Sequence, residues 1–124
     1  MSFVIEDVSP TEVTAVLSAE HAIGARDGAF CAHPYLEALT RRRGLPDSAH
    51  EVAGACGVPG ATRLSCSAAT RPEDVERAIA AVAAVASGDR RLRYARDPRT
   101  GAVEPVDWRP DLGEAFRLPG LAIG

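Results

Sequence analysis

Apolar positions along the first part of this chain follow two periods. Ser2 to Val8 is a short run rich in β-branched and aromatic residues, closed by Ser9-Pro10, and it predicts a strand. Ser9 then carries a helix start signal, with Pro10 at the first helical position and Glu12 three residues after the cap. Val13, Val16 and Leu17 fall at i, i+3 and i+4, so this helix buries one stripe and runs to about His21. Residues 22–26 predict a short second strand, after which Asp27-Gly28 turns the chain into Phe30-Cys31-Ala32. His33-Pro34 opens a helix with His33 as its cap. It carries Tyr35, Leu36 and Leu39 inward and stops after Arg41-Arg42-Arg43 at Gly44, with Pro46 beyond.

Residues 45–61 are broken by Pro46, Gly54, Gly57, Pro59 and Gly60 and predict a loop. Thr62 to Ala68 alternates, with Leu64, Cys66 and Ala68 on one face and Arg63, Ser65 and Ser67 on the other. Thr70-Arg71-Pro72-Glu73 spells a capping box; the helix behind it is expected to bury Val75, Ile79, Val82 and Ala86, to pair Glu73 with Arg77, and to stop at Gly88. Residues 92–95 and 102–104 flank Asp97-Pro98-Arg99-Thr100-Gly101, the pattern of a hairpin, and the tail from Pro105 reads as extended. This order of elements predicts an α+β fold, a small sheet with helices packed on one face. At 124 residues it fits one domain.

Composition narrows the chemistry. All 14 positions counted as Lys or Arg are arginine, so every mechanism that needs a lysine amine from this chain is excluded. Asparagine and glutamine are absent too, while alanine is abundant, a bias that coding composition alone explains. A net charge of −3 argues against a nucleic-acid binder, and Arg41-Arg42-Arg43 reads as cations complementing a helix C-terminus. No run reaches the ~18 apolar residues of a membrane span, and Glu6 and Asp7 stand where a signal peptide would be apolar. The expectation is a cytoplasmic protein with no membrane partner, whose three cysteines are reduced thiols.

Three residues stand out. A helix starting just after Cys31 would set its thiol beside unpaired N–H groups, an environment that favours the nucleophilic thiolate; the other reading is a small buried hydrophobe. Arg63 on a strand can present a planar fork to a carboxylate, or be a solvated strand residue, and Arg26 has the same two readings. His21, His33 and His50 sit at helix ends or in a loop. Cys31, His33, Cys56 and Cys66 match no zinc spacing, so no metal is expected. Residues 54–60 lack the Lys-Ser/Thr ending of a phosphate loop.

Ile23 to Pro34, read as Ile-Gly-Ala-Arg-Asp-Gly-Ala-Phe-Cys-Ala-His-Pro, resembles the Ile-x-x-Arg-x-Gly-x-x-Cys-Ala-x-Pro segment of the class V aminotransferases. These are enzymes of fold type I that depend on pyridoxal phosphate (PLP), and they include cysteine desulfurases and selenocysteine lyases. Arg63-Leu64-Ser65-Cys66-Ser67, followed by Glu73-Asp74-Val75, resembles the family's Arg-x-Ser strand and acidic helix start. Order and spacing agree over about residues 2–88, corresponding to the C-terminal part of a full family enzyme. The chain departs from the desulfurase pattern at Ala29-Phe30, where that branch carries histidines. It departs again at Ala69-Thr70, where the family has an aromatic-Asn pair.

The resemblance implies that residues 1–95 are a small C-terminal-type aminotransferase domain, with 96–124 its hairpin end and extended tail. It implies that Arg63 binds a substrate carboxylate, that Arg26 shapes the same site, and that Cys31 stands where the desulfurase branch has its sulfur-accepting cysteine. PLP would be the cofactor of the complete enzyme, held by a large domain from the same gene or a separate chain and not covalently by this one. The chain would then be a truncation product or one half of a split enzyme, acting on an amino-acid-like substrate and compatible with a homodimer, and not catalytically complete alone. A non-enzymatic interaction module and a stand-alone thiol carrier through Cys31 are the alternatives.

Overall fold

The computed structural model describes residues 1–43 and 60–108. The expected stop at Gly44 and Pro46, most of the Gly-rich loop, and the tail beyond Trp108 lie outside the described residues, as do His50 and Cys56. The architecture is α+β. In chain order it runs β1 (Ser2–Phe3), α1 (Pro10–His21), β2 (Arg26–Gly28), α2 (His33–Arg43), β3 (Ala61–Arg63), α3 (Pro72–Ala86), β4 (Tyr94–Arg96) and β5 (Val103–Pro105). Strands β1, β3 and β2 form an antiparallel sheet with β3 in the middle, and β4 and β5 form a separate antiparallel hairpin.

Helix α1 is the centre of the molecule. The Ser9 hydroxyl accepts the N–H of Glu12 at 3.1 Å, capping one otherwise unpaired donor. Val13, Val16 and Leu17 are fully buried and meet Ala81 and Val85 of α3, with Phe3, Ile5, Val8, Ile23, Val82 and Tyr94 packed around them. The first turn of α1 is fastened to the sheet by two hydroxyls: Thr62 donates to the Pro10 carbonyl at 3.4 Å and Thr11 donates to Asp27 at 3.0 Å. Asp27 and Thr62 therefore face the helix. Alternation along a strand sends their neighbours Arg26 and Arg63 to the opposite face.

Several expectations shift. The first strand is only Ser2–Phe3, because Asp7 adopts a left-handed φ of 61° and folds Ile5 back against Val8. The second strand is Arg26–Gly28, not residues 22–26: Ala22, at φ 53°, ends α1 and keeps the next residues out of the sheet. Asp27-Gly28 is accordingly strand. The turn lies later, where the Ala32 N–H donates to the Ala29 carbonyl at 2.7 Å. Ala32, not His33, occupies the cap of α2, since its carbonyl accepts the Leu36 N–H at 3.0 Å. Tyr35 is 65% exposed instead of inward.

Helix α3 departs most. Pro72 takes its first helical position, so the cap is Arg71 and the Asp74 carboxylate accepts the Arg71 N–H at 3.2 Å; Thr70 instead accepts the Ser67 N–H at 2.9 Å. Glu73 and Arg77 form no ion pair, Arg77 lying instead close enough to Asp74 to act on its charge. The buried residues are Ala81 and Val85, whereas Val75 and Ile79 are exposed, Ile79 to 61%.

The hairpin matches its sequence signal. Asp97 organises the turn by accepting the Arg99 N–H at 2.8 Å and the Thr100 hydroxyl at 2.9 Å, contacts that hold its carboxyl below the usual carboxylate range. Gly101 closes the turn at φ 74°, with open space where a Cβ would project. Gly101→Ala is expected to cost about 1 kcal/mol from backbone strain alone. A urea titration should show a lower midpoint at unchanged slope, and an unchanged midpoint would remove the strain argument.

Candidate functional site

The sheet face turned away from α1 carries the candidate residues. Arg26 and Arg63 are direct cross-strand partners in the β2–β3 register, and Ser2 opposes Arg63 from the other side. Like charges placed opposite each other in an antiparallel pair, with Cβ atoms about 5 Å apart, destabilise the sheet. Neither arginine makes an ion pair with any described residue. The Arg63 Nε is buried and has no hydrogen-bond partner, which for a buried donor costs about 1–3 kcal/mol. Two guanidiniums thus share one face of the sheet with no ion-pair partner among the described residues, one of them with an N–H that has no acceptor.

Phe30 completes that site, and no sequence signal singled it out. Its ring lies 4.7 Å from the Arg63 guanidinium carbon and 6.0 Å from that of Arg26, within range of a cation–π contact for both. The turn from Ala29 to Ala32 delivers it. Phe30 at φ 50° and Cys31 at φ 61° are both left-handed, a pair of positions that glycine, asparagine or aspartate normally fills and that cost other residues about 1–2 kcal/mol each. Gly28 makes the approach feasible, because its φ of 115° turns the strand end into this loop.

Cys31 follows Phe30 and is exposed, two residues ahead of α2, so the structure removes the reading of Cys31 as a buried hydrophobe. Cys66 is exposed as well, but it lies past the Arg63 end of β3, whereas Cys31 lies past the opposite end of the sheet, at Gly28 and Ala61. The structure thus joins Arg26 and Arg63 through Phe30, sets Cys31 beside Phe30 in sequence, and leaves Cys66 apart. His33 is exposed, and His21 ends α1 with its Nε2 buried and unpartnered. Among the described residues no group of His, Cys, Asp or Glu is arranged to hold a metal ion.

Several other arginines are engaged. Arg90 pairs with Glu12, Arg91 with Glu20 and Arg93 with Asp107, while Arg96 donates to the Gly101 carbonyl and the Ser9 hydroxyl. The run Arg90-Arg91 therefore fastens the hairpin to α1. On another side of the molecule a groove of about 510 Å³ opens between the Ile23 and Leu64 segments and α3, lined mainly by apolar atoms that include Val75, Ile79 and Val82. No described helix is long and apolar enough to cross a membrane. The chain matches no family model, no curated protein and no solved structure.

Proposed function

We propose that this chain is the small domain of a PLP-dependent class V aminotransferase or cysteine desulfurase-like enzyme, giving a carboxylate-binding arginine pair to a site that a large domain completes. The observation that carries the reading is the Arg26–Arg63 register pair: two motifs 37 positions apart in sequence meet on one sheet face with no ion-pair partner among the described residues. A bidentate carboxylate would offset the like-charge repulsion between the two guanidiniums. Arg63 is the clamp, Arg26 supports it, and Cys31 presents an exposed thiol at the edge of the same loop. An amino-acid-like substrate fits these residues.

PLP does not fit this chain as its holder, because no lysine is present to bind it covalently. The cofactor therefore belongs to the large domain in this proposal, and the residues here bind and orient substrate. The test is reconstitution. Mixing this chain with a lysine-bearing class V large domain should restore PLP-dependent turnover of an amino acid. Arg63→Ala should then lower kcat/KM by about 100-fold or more, the cost of removing one partner of a desolvated charge pair. Turnover that survives Arg63→Ala unchanged removes Arg63 from its role.

A second reading, a non-enzymatic interaction module, is favoured by the apolar groove along α3, where Val75 and Ile79 stand exposed. Stable association with a large domain without any turnover would favour it over the enzyme reading.

A further inference from the structure

We propose that Phe30 is the positioning residue of the arginine site: its ring, held by a left-handed turn, fixes the plane in which Arg63 offers its N–H groups to a carboxylate. The inference rests on the carboxylate reading of Arg63 given above and adds the residue that sets the affinity of that site. A guanidinium carries its donors along its edge, in the plane, and its π system on its two faces. A ring centroid 4.7 Å from the Arg63 Cζ is close enough for a cation–π contact, which holds the guanidinium without taking one of its N–H donors. A carboxylate in the same place would also order Arg63, but it would occupy the fork that a ligand needs. An aromatic ring is the neutral side chain that orders an arginine without consuming a donor.

The backbone points the same way. Phe30 and Cys31 are consecutive left-handed residues closed by the Ala32 N–H to Ala29 carbonyl bond at 2.7 Å. Residues that adopt this conformation without strain, such as glycine or asparagine, carry no ring. What Phe30 adds at this position is its ring, and the ring lies near both arginines of the register pair, 6.0 Å from Arg26 as well as 4.7 Å from Arg63. One neutral group thus orders two like charges that face each other across the strands.

The test uses the full chain, with nitrogen-15 NMR of the arginine Nε–Hε groups and acetate as the anion probe. In the wild type the Arg63 signal should carry a ring-current displacement, show slowed rotation about Nε–Cζ, and shift on acetate addition. Phe30→Gly deletes the ring while suiting the left-handed backbone. It should abolish the displacement, speed the rotation and weaken acetate binding about fivefold or more, the scale of a partly desolvated cation–π contact. Phe30→Tyr should restore all three to within about twofold, since the π face is retained. Phe30→Leu keeps bulk without a π face and should behave as Phe30→Gly. Wild-type acetate affinity in both ring-free variants overturns the inference and leaves the carboxylate reading standing. An Arg63 signal that ignores acetate in the wild type overturns both.

Discussion

Replacing Glu20 with alanine is expected to cost about 3 kcal/mol of stability, because one buried carboxylate fastens the end of α1 to the chain leaving α3. Its side chain is only 2% exposed. It accepts the backbone N–H of Arg91 at 2.8 Å and of Leu92 at 3.1 Å, the Tyr94 hydroxyl at 3.0 Å, and the Arg91 Nε at 3.4 Å. Removing it strands the Leu92 N–H and the Tyr94 hydroxyl in partly buried positions, whereas Arg91 is exposed and returns to water. Burial opposes the charge on Glu20, yet the Arg91 and Leu92 N–H groups, the Tyr94 hydroxyl and the Arg91 side chain together hold its carboxyl below the ordinary range. Burial first, and then the hydrogen bond and charge of Glu20, hold the Tyr94 phenol far above its ordinary value, so it remains a donor.

The depressed value fixes the sign of a pH effect. A carboxyl that is more acidic folded than unfolded contributes stability in full above its unfolded value, about 4.3, and loses it as pH falls through the folded one. The wild type should therefore lose stability below about pH 4.3 in part through Glu20, and Glu20→Gln should show a shallower acid limb. Urea unfolding followed by far-UV circular dichroism between pH 7 and pH 3 measures both. A Glu20→Ala penalty under about 1 kcal/mol, or parallel acid limbs, would show that the network contributes little.

Features fixed by near neighbours were legible in the sequence. Ser9-Pro10 with Glu12 marks the start of α1, Val13, Val16 and Leu17 mark its buried stripe, and Asp97 to Gly101 marks the hairpin turn, all within a few residues. Features that depend on distant partners were not. The second strand settles at Arg26–Gly28 because β3 pairs with it there, and nothing in residues 22–28 states that register. Arg63 could be assigned to a strand face by alternation, but nothing near it in sequence states that it stands opposite Arg26. Phe30 stayed hidden for a different reason: neither Phe30 nor Cys31 is a residue type that announces a left-handed turn.

Leu17→Ala and Ile79→Ala remove comparable apolar volume from two helices and should differ sharply in cost. Leu17 is fully buried where α1 meets α3, so its truncation leaves a cavity among Val13, Val16, Ala81 and Val85 and should cost about 3 kcal/mol. Ile79 is 61% exposed, and alanine is the better helix former, so its truncation should stay within about 0.5 kcal/mol of the wild type. Urea midpoints at constant slope read both values. Helix α3 has apolar residues on more than one side, and periodicity alone favoured the side with the larger side chains. The structure turns Ala81 and Val85 inward instead, because a small residue at the contact lets α3 approach α1 closely over the bulk of Leu17 and Val16. Equal costs at Leu17 and Ile79 would reverse that assignment. A large cost at Leu17 alone would mean that Ile79 is dispensable for folding, which frees its exposed side of α3 to meet another surface.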